Sequence, residues 1–244
     1  MAAEALFLAS SSASLRSASL TASIPNFDPR QVPVIGTDGH LPSVPLVKQT
    51  PQALRQRFAQ PPRWQPEVRK EGRFSQRSPA RAAVLVPLVQ RKELMVLLTQ
   101  RTQQLSTHSG QVAFPGGKQD PEDKDVVATA LREAQEEVGL DAQYVEVLGH
   151  LPIYETGTAF IVTPVVALVQ AQAPLTPNPY EVADVFEVPL RFLLDPANHH
   201  RHRLQWQGLE REWFSMPYND AGIERYIWGA TAGMLRNFYR FMAA

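Results

Sequence analysis

Prolines crowd the first third of the chain and restrict where regular secondary structure can form there. Ten of the 21 prolines stand between positions 25 and 79, and each removes a backbone donor and disfavours helix at the residue before it. Only positions 52–59 have a pattern that predicts a helix in this region. We therefore expect residues 1–77 to form a partly irregular extension, Ala- and Ser-rich and then Pro- and Arg-rich, and residues 78–244 to form the main domain.

The second half of this extension is basic. Between positions 51 and 81 eight Arg and Lys residues stand against Glu67 and Glu71. A basic arm can bind a polyanion, but these charges are not interleaved regularly with aromatic residues. The pattern instead favours a solvated extension that packs along the main domain through Phe58, Trp64 and Phe74.

The composition excludes several classes of protein. Lys+Arg and Asp+Glu number 24 each, so no global charge favours a nucleic acid or an acidic lipid surface as partner. The chain has no cysteine, which excludes disulfides and thiolate chemistry and fits a reducing compartment. No apolar run reaches the roughly 18 residues that a membrane span needs. We therefore predict a cytoplasmic protein without a membrane segment, and we leave its oligomeric state open, with a homodimer as one alternative.

Beyond position 80, short apolar runs alternate with polar turns. Positions 82–89 and 94–98 predict a hairpin of buried strands, and strands are also expected at 144–148 and 160–169. A strand, a proline and a short helix follow at 181–194, then a small hairpin that joins 204–206 to 212–214, and a final helix at 223–242. Strands interleaved with few helices predict an α/β or α+β domain.

The most informative stretch is an acidic amphipathic helix. We predict that it runs from near position 124 to 138, with Asp123 or Asp125 as its N-cap and Gly139 as its stop. At about 100° per residue, its apolar side chains form one stripe that faces the core. The stripe consists of Val127, Ala130, Leu131, Ala134 and Val138.

Three acids lie together on the adjacent face of this helix. Glu133, Glu136 and Glu137 are neighbours at helical spacing, so their carboxylates repel one another. Arg132 can reach Glu136 but cannot neutralise three acids. A hard divalent cation such as Mg²⁺, which binds carboxylate and carbonyl oxygens, would do so. A fully solvated acidic face is the alternative interpretation.

These residues resemble the Nudix box, G-x5-E-x7-R-E-U-x-E-E-x-G-U, in which U is a large aliphatic residue. Positions 132–140 match its second half, although Ala134 is small for its U position. In the first half Asp123 stands where the box has Glu, and eight residues rather than seven separate it from Arg132. The resemblance implies an α/β/α sandwich with a mixed sheet. It also implies hydrolysis of a nucleoside diphosphate linked to another group.

The stretch just upstream resembles the signature of the coenzyme A pyrophosphatase branch of this family, L-L-T-x-R-S-x3-R-x3-G-x3-F-P-G-G. Positions 97–117 match without a gap, but Thr102 replaces Ser and Ser106 replaces the second Arg. Segment 227–233 also resembles the last helix of this branch. The resemblance implies cleavage of coenzyme A or its thioesters to 3′,5′-ADP and 4′-phosphopantetheine or its acylated form.

Two alternative functions stay open. Because Ser106 lacks the guanidinium that donates two hydrogen bonds to phosphate, the substrate can instead be ADP-ribose, an ADP-sugar or a dinucleotide. The third alternative is a non-catalytic Nudix-fold binding module. Such modules tend to lose their acids, whereas all three are present here.

The resemblance also assigns roles within the box. It implies Glu133 and Glu137 as the main ligands of Mg²⁺ or Mn²⁺, Glu136 as a further ligand, and the carbonyl of Gly117 as the group that completes the set. Arg132 is expected to support the acidic helix by ion pairing. The acids of the box, together with Arg132, are therefore the predicted catalytic group.

Substrate contacts and the general base are predicted outside the helix. Arg101, Gly116 and Phe114 belong to the upstream signature and are expected to contact the substrate. The base that activates water is Glu133 or an acid from a later loop, for which Glu181 and Glu155 are the candidates. The alternative for both is an ordinary surface acid.

For the histidine and tryptophan residues we expect structural roles rather than metal or substrate binding. The tract His199, His200 and His202 resembles a metal site, but its place after Pro196 predicts an exposed loop. His108 is expected to anchor its loop through hydrogen bonds. Packing rather than stacking on adenine is expected for Trp206, Trp213 and Trp228.

Overall fold

The computed structural model describes residues 28–73, 75, 77–103, 110–206 and 209–244, with Trp206 and Leu209 described by their backbone alone. These residues form twelve β-strands and four α-helices. The predictions made for the Ala- and Ser-rich start, Phe74, Ser106 and His108 lie outside the described residues.

The bounds of the elements follow the chain order. The strands are β1 (Val34–Thr37), β2 (Ala80–Gln90), β3 (Leu94–Arg101), β4 (Val112–Ala113), β5 (Gly116–Lys118), β6 (Val145–His150), β7 (Tyr154–Glu155), β8 (Phe160–Val169), β9 (Val182–Pro189), β10 (His200–Trp206), β11 (Leu209–Asp220) and β12 (Ile223–Trp228). The helices are α1 (Pro51–Ala59), α2 (Val126–Val138), α3 (Leu190–Leu193) and α4 (Gly229–Ala243).

A mixed sheet of eight strands forms the centre of the molecule. Strand β2 pairs antiparallel with β3 through residues 88–90 and parallel with β8 through residues 80–89. Away from their shared turn β2 and β3 take different partners, since β5 pairs with β2 and β4 pairs with β3. The remaining strands extend the sheet, β9 beside β3 and both β6 and β7 beside β8. The predicted strands at 82–89, 94–98, 144–148, 160–169 and in 181–194 are confirmed.

A second sheet of four antiparallel strands, in the order β1, β10, β11 and β12, was not expected from the sequence. The predicted hairpin at 204–214 is confirmed and is longer, since β10 pairs with β11 from His200 to Trp206. The prediction of a helix from position 223 was wrong for its first part. Residues 223–228 pair with β11 as a strand that follows a turn with positive φ at Ala221 and Gly222, and the helix begins only at Gly229.

Helices lie on both faces of the large sheet. Helix α2 packs on one face, where Ala83, Leu85 and Val165 join its apolar stripe in one core cluster. The other face packs against α4, α1 and the small sheet in a larger cluster. This arrangement confirms the predicted α+β class with a mixed sheet. Among the described residues, none of the helices has the length and apolar character needed to cross a membrane.

The extension is built into this larger cluster. Val44 and Leu54 are buried in it, and Phe58 and Trp64 place their rings 4.8 and 5.2 Å from the ring of Phe241 in α4. Helix α1 is confirmed, and it begins one residue earlier than predicted, with Thr50 as its N-cap. Packing through Phe58 and Trp64 is therefore confirmed, whereas the division of the chain at residue 77 stays a prediction.

The histidine tract lies inside the protein rather than in the predicted exposed loop. His202 is buried because β10 pairs on both sides, with β1 and with β11, and His199, just before β10, is buried against Phe214 and Tyr239. The ring nitrogens of His202 hydrogen-bond with the carbonyl of Val32 and the hydroxyl of Ser215. The ring of His202 stacks on Trp213 at a centroid distance of 5.4 Å, so this tryptophan packs as predicted.

His199 belongs to a buried polar network centred on Arg236. The Arg236 guanidinium lies 3.0 Å from Asp38 and 2.8 Å from Glu67, and its Nη1 lies 3.1 Å from His199 Nδ1. Arginine has only donors, so Nδ1 accepts and the Nε2 proton is donated to the carbonyl of Leu193 at 2.9 Å. The network therefore requires a neutral His199 and ties the extension to α4.

We expect truncation of Leu54 to destabilise the whole domain. The Leu54 side chain is 0% exposed, so Leu54→Ala should lower the free energy of unfolding by about 2–5 kcal/mol, because a cavity replaces core contacts. The matched control is Leu46→Ala, since Leu46 is 66% exposed and should change stability by about 0.5 kcal/mol or less. Equal effects in urea denaturation would contradict the integration of the extension.

We also expect His199 to make stability depend on pH. Burial lowers its pKa from 6.5 to about 4, so below pH 6.5 the unfolded state binds the extra proton and the native state does not. The stability of the wild type relative to His199→Gln should fall by roughly 3 kcal/mol as the pH falls from about 6.5 toward 4. Urea denaturation of both proteins at several pH values measures this difference. The lowered pKa of His200 and the raised pKa of Glu137 also change the slopes, but both residues are present in both proteins, so the difference in slope reports His199.

Candidate active site

Helix α2 forms as the sequence predicts. Asp125 is its N-cap and accepts hydrogen bonds from the amides of Val127 and Ala128, both at 2.9 Å. Gly139 ends the helix in the left-handed conformation, with φ at 70°. Ala130, Ala134 and Val138 are fully buried, and Val127 and Leu131 are partly buried against the same core cluster. With this stripe on the sheet, the acidic face lies beside β5.

Glu137 is the most buried acid of the box, with a side chain 3% exposed. The amide of Gly116 donates to its Oε2 at 3.2 Å, and Arg101 Nη1 donates to its Oε1 at 3.2 Å. Burial raises the pKa of Glu137 to about 7, although Arg101 and the Gly116 hydrogen bond act in the opposite direction. A carboxylate is thus held in a desolvated place with Arg101 as its neighbouring cation.

Glu133 lies one turn earlier, against the main chain of Gly117. A Cβ atom added to Gly117 would lie 2.4 Å from Glu133 Oε1, so any other residue there would force the Glu133 carboxylate to move. Burial raises the pKa of Glu133, the charge of Arg132 lowers it, and Glu136 and Glu181 raise it further. The neighbouring Gly116 has φ at +157°, and a side chain there would meet β2. The two glycines therefore let β5 approach both α2 and β2.

Arg132 holds the acids from the solvent side. Its guanidinium lies 2.9 Å from Asp123, 3.1 Å from Glu133 and 3.0 Å from Glu136. This confirms the predicted ion pairing of Arg132 with the acidic face. Asp123 accepts two hydrogen bonds from Arg132, which hold its pKa well below the usual range, and one from the amide of Asp120. Asp123 thus reaches Arg132 from the loop before α2, although one residue more separates the two than in the Nudix box.

The predicted substrate contacts fall in two different environments. Arg101, at the end of β3, is 23% exposed, and its Nε has no hydrogen-bond partner within the described part of the chain. Phe114 is buried in the larger core cluster, on the strand connection that leads to Gly116. Arg101 is therefore the one of these two side chains that is partly exposed and contacts an acid of the box.

The two candidate bases are also separated by the fold. Glu181 lies next to the box, since the amide of Asn178, three residues earlier, donates to the Glu137 carbonyl and the Glu181 carbonyl accepts from the amide of Thr102, the neighbour of Arg101. Glu155 lies on β7, and its main chain pairs with Arg69 and Glu71 of the extension. The structure brings Glu181, rather than Glu155, toward the acids.

Sequence reasoning missed how the segment before Glu181 meets the acidic helix. The amides of Thr176 and Asn178 donate to the carbonyls of Val138 and Glu137, both at 2.9 Å, and so cap the C-terminal end of α2. The available signal was the dipeptide at 178–179, since Asn-Pro marks a turn. A turn signal does not reveal what the turn packs against, so the partner had to come from the tertiary structure.

The donor set suits a hard divalent cation. Two desolvated carboxylates, Glu133 and Glu137, lie beside the main chain of Gly117, and such oxygens are the ligands that Mg²⁺ prefers. Among the described residues, no three acidic or histidine side chains are already arranged to hold a metal ion. Glu136 is 56% exposed and bound to Arg132, so it would have to exchange that arginine for an ion.

Comparison with known proteins identifies the family. Residues 79–207, just over half of the chain, match the family model described as the NUDIX domain. The uncharacterized Nudix hydrolase NudL of Yersinia pestis (strain Pestoides F) is 43% identical over 157 residues, which cover 64% of this chain and 77% of that protein. The NudL of Yersinia pseudotuberculosis serotype O:1b (strain IP 31758) matches to the same extent. The chain therefore belongs to the Nudix hydrolase family, whose members generally use divalent metal ions.

Solved structures show a partial likeness. The Ap4A hydrolase of C. elegans in a binary complex is 22% identical, with a TM-score of 0.40, and the match covers 48% of this chain and 85% of that one. The NUDIX domain of Shewanella oneidensis NrtR, complexed with ADP ribose, is 22% identical, with a TM-score of 0.37, and covers 47% of this chain and 75% of that one.

We expect Gly117→Ala to weaken cation binding. The added Cβ would displace the Glu133 carboxylate, whereas nothing lies within 4 Å of a Cβ added to Gly36, so Gly36→Ala is the matched control. At a concentration of about 100 times its Kd, Mn²⁺ should stabilise the wild type by roughly 2.7 kcal/mol, because it binds only the native state. Thermal unfolding with and without Mn²⁺ should show most of this gain lost in Gly117→Ala and retained in Gly36→Ala. A full gain in both variants would contradict the role of Gly117.

Proposed function

We propose that this Nudix hydrolase cleaves the pyrophosphate bond of coenzyme A or its thioesters, releasing 3′,5′-ADP and 4′-phosphopantetheine or its acylated form. One observation carries the hydrolytic part of the proposal: Glu133 and Glu137 lie desolvated beside Gly117, with Arg101 reaching the same place. The choice of substrate is supported by the match of positions 97–117 to the coenzyme A pyrophosphatase signature.

The residues would divide the work as follows. Glu133, Glu137 and the Gly117 carbonyl would hold Mg²⁺ or Mn²⁺, with Glu136 as a further ligand. When bound, the ion neutralises the pyrophosphate and lowers the pKa of a bound water. Arg132 keeps the acidic face ordered through its ion pairs.

Arg101 and the general base complete the proposed site. The partly exposed guanidinium of Arg101 would donate to a phosphate oxygen, and the amide of Gly116 holds Glu137 in place. Glu181 would accept a proton from the attacking water, since it lies beside the acids; Glu133 is the alternative base. Phe114 would act through the position that it gives to Gly116 rather than through its buried side chain.

A second substrate class is favoured by one residue. Ser106 stands where the signature has a second Arg, and the loss of a bidentate phosphate donor weakens the case for coenzyme A. ADP-ribose, an ADP-sugar or a dinucleotide is then the substrate of the same hydrolytic site. A binding module without activity is less well supported, because the acids and their arginine partners are all present. A cytoplasmic location and a homodimer stay predictions.

We expect Glu137→Gln to abolish most of the activity without unfolding the protein. Release of 3′,5′-ADP from coenzyme A with Mg²⁺ or Mn²⁺ should fall by about 100-fold or more, since even groups that only support a metal ligand contribute roughly 10–100-fold. Glu122→Gln is the control, because Glu122 is an exposed acid in the loop before α2. Thermal unfolding should show that both variants remain folded.

A panel of substrates with product identification decides between the alternatives. Turnover of ADP-ribose without turnover of coenzyme A would move the proposal to the second substrate class. A wild-type protein that cleaves no pyrophosphate with either metal ion would favour the binding module. Wild-type activity retained in Glu137→Gln would contradict the assignment of the site.

A further inference from the structure

We infer that the Thr102 hydroxyl is a positioning group that fastens the segment 176–181, here called the base loop, to the end of β3 and so fixes Glu181 beside the acidic helix. The inference rests on the proposed function, in which Glu181 accepts the proton of the attacking water. Thr102 occupies a position of the upstream signature, and the inference gives this residue a role that the proposed function does not.

The base loop is attached to the acidic helix at one end. The amides of Thr176 and Asn178 donate to the last carbonyls of α2, those of Val138 and Glu137, at 2.9 Å each. The approach is close, since a Cβ on Gly139 would lie 2.9 Å from the Thr176 amide nitrogen. The base loop therefore begins at the last turn of α2, where it hydrogen-bonds to the main chain of Glu137, the buried acid of the box.

The base loop is attached to β3 at its other end, through Thr102. The Thr102 amide donates to the carbonyl of Glu181 at 3.0 Å, and the Thr102 hydroxyl donates to the carbonyl of Tyr180 at 3.2 Å. Thr102 is buried, and it directly follows Arg101, the residue that donates to Glu137. One end of β3 thus contacts both the box and the base loop.

Hydrogen bonds within the loop set the direction of Glu181. The side-chain oxygen of Asn178 accepts from the amide of Tyr180 at 3.1 Å, and its carbonyl accepts from the amides of Glu181 and Val182 at 3.1 and 2.8 Å. The Asn178 amide group also donates to Glu181 Oε1 at 3.4 Å. Within the described part of the chain, no ion pair holds the Glu181 carboxylate, so these hydrogen bonds are what places it.

Electrostatics explains why a fastened loop is needed. The loop that carries Glu181 hydrogen-bonds to the Glu137 carbonyl and to Thr102, the neighbour of Arg101, so a third carboxylate is brought to the region of Glu133 and Glu137. Like charges repel, and without a restraint a flexible side chain on a surface loop would move away into solvent. Two attachments at the ends of the loop oppose that movement. The signature has Ser at this position and this chain has Thr102, so the hydroxyl is kept in both.

The test compares Thr102→Val with Thr102→Ser. Valine keeps the shape and removes the hydroxyl, whereas serine keeps the hydroxyl. We expect Thr102→Val to lower kcat on coenzyme A by about 10-fold, as loss of one hydrogen bond allows, with KM changed by about twofold or less. Thr102→Ser should remain close to the wild type. Equal kcat values for Thr102→Val and the wild type, or equal losses in both variants, would overturn the inference.

A double variant separates positioning from a general structural effect. If Thr102 acts through Glu181, adding Thr102→Val to Glu181→Gln should lower kcat no further, because coupled residues are not additive. A further drop of the same size in the Glu181→Gln background would show that Thr102 acts elsewhere, and the inference would fail.

A readout without substrate distinguishes failure of this inference from failure of the proposed function. The amides of Glu181 and Val182 donate within the base loop, and their hydrogen exchange should be about 10-fold faster in Thr102→Val than in Thr102→Ser. A wild type that cleaves no pyrophosphate would overturn the proposed function, and faster exchange would still support fastening of the loop. Unchanged exchange overturns the fastening whatever the activity.

Discussion

The burial of the Glu137 carboxylate against the glycine pair of β5 is the interaction on which the site depends. An isolated charge in such a place is unfavourable, and here it is offset in part by one amide hydrogen bond and by Arg101. Gly116 is required because a side chain there would meet β2, and Gly117 leaves room for the Glu133 carboxylate. Strand β5 pairs with β2 where β2 and β3 take different partners. The same short strand therefore belongs to the large sheet and contacts the acids of α2.

The acids around Glu137 are then arranged by cations and main-chain groups at different depths. Arg132 contacts the outer acids and Asp123 at the half-exposed edge, and Arg101 contacts the inner acid. The inner carboxylates remain short of positive charge, which a divalent ion would supply, and the same ion would offset the negative charge of a substrate's phosphates. This charge pattern is why a hydrolytic site, rather than a stable acidic surface, is the interpretation that the structure favours.

Sequence patterns predicted the parts of the fold that depend on neighbours along the chain. The hairpin of β2 and β3, the N-cap Asp125, the stop at Gly139 and the apolar stripe of α2 all follow from local period and capping chemistry, and all are confirmed. The helix predicted from position 223 was wrong for its first part, because β12 runs directly into α4 and only pairing with β11 makes residues 223–228 a strand. The prediction of an exposed loop for the histidine tract was wrong for a related reason. The small sheet that buries these polar residues was not predicted from the sequence.

From residue order alone one can predict a capped helix with three acids on one face after a pair of glycines, because helical period and turn chemistry act over a few residues. The fold was needed to show that Arg101 meets Glu137, that Glu181 rather than Glu155 lies beside the acids, and that His199 is buried with Arg236. These contacts join residues that are far apart along the chain, and they depend on strand register and sheet packing. No local pattern specifies those distances, so the folded chain alone sets them.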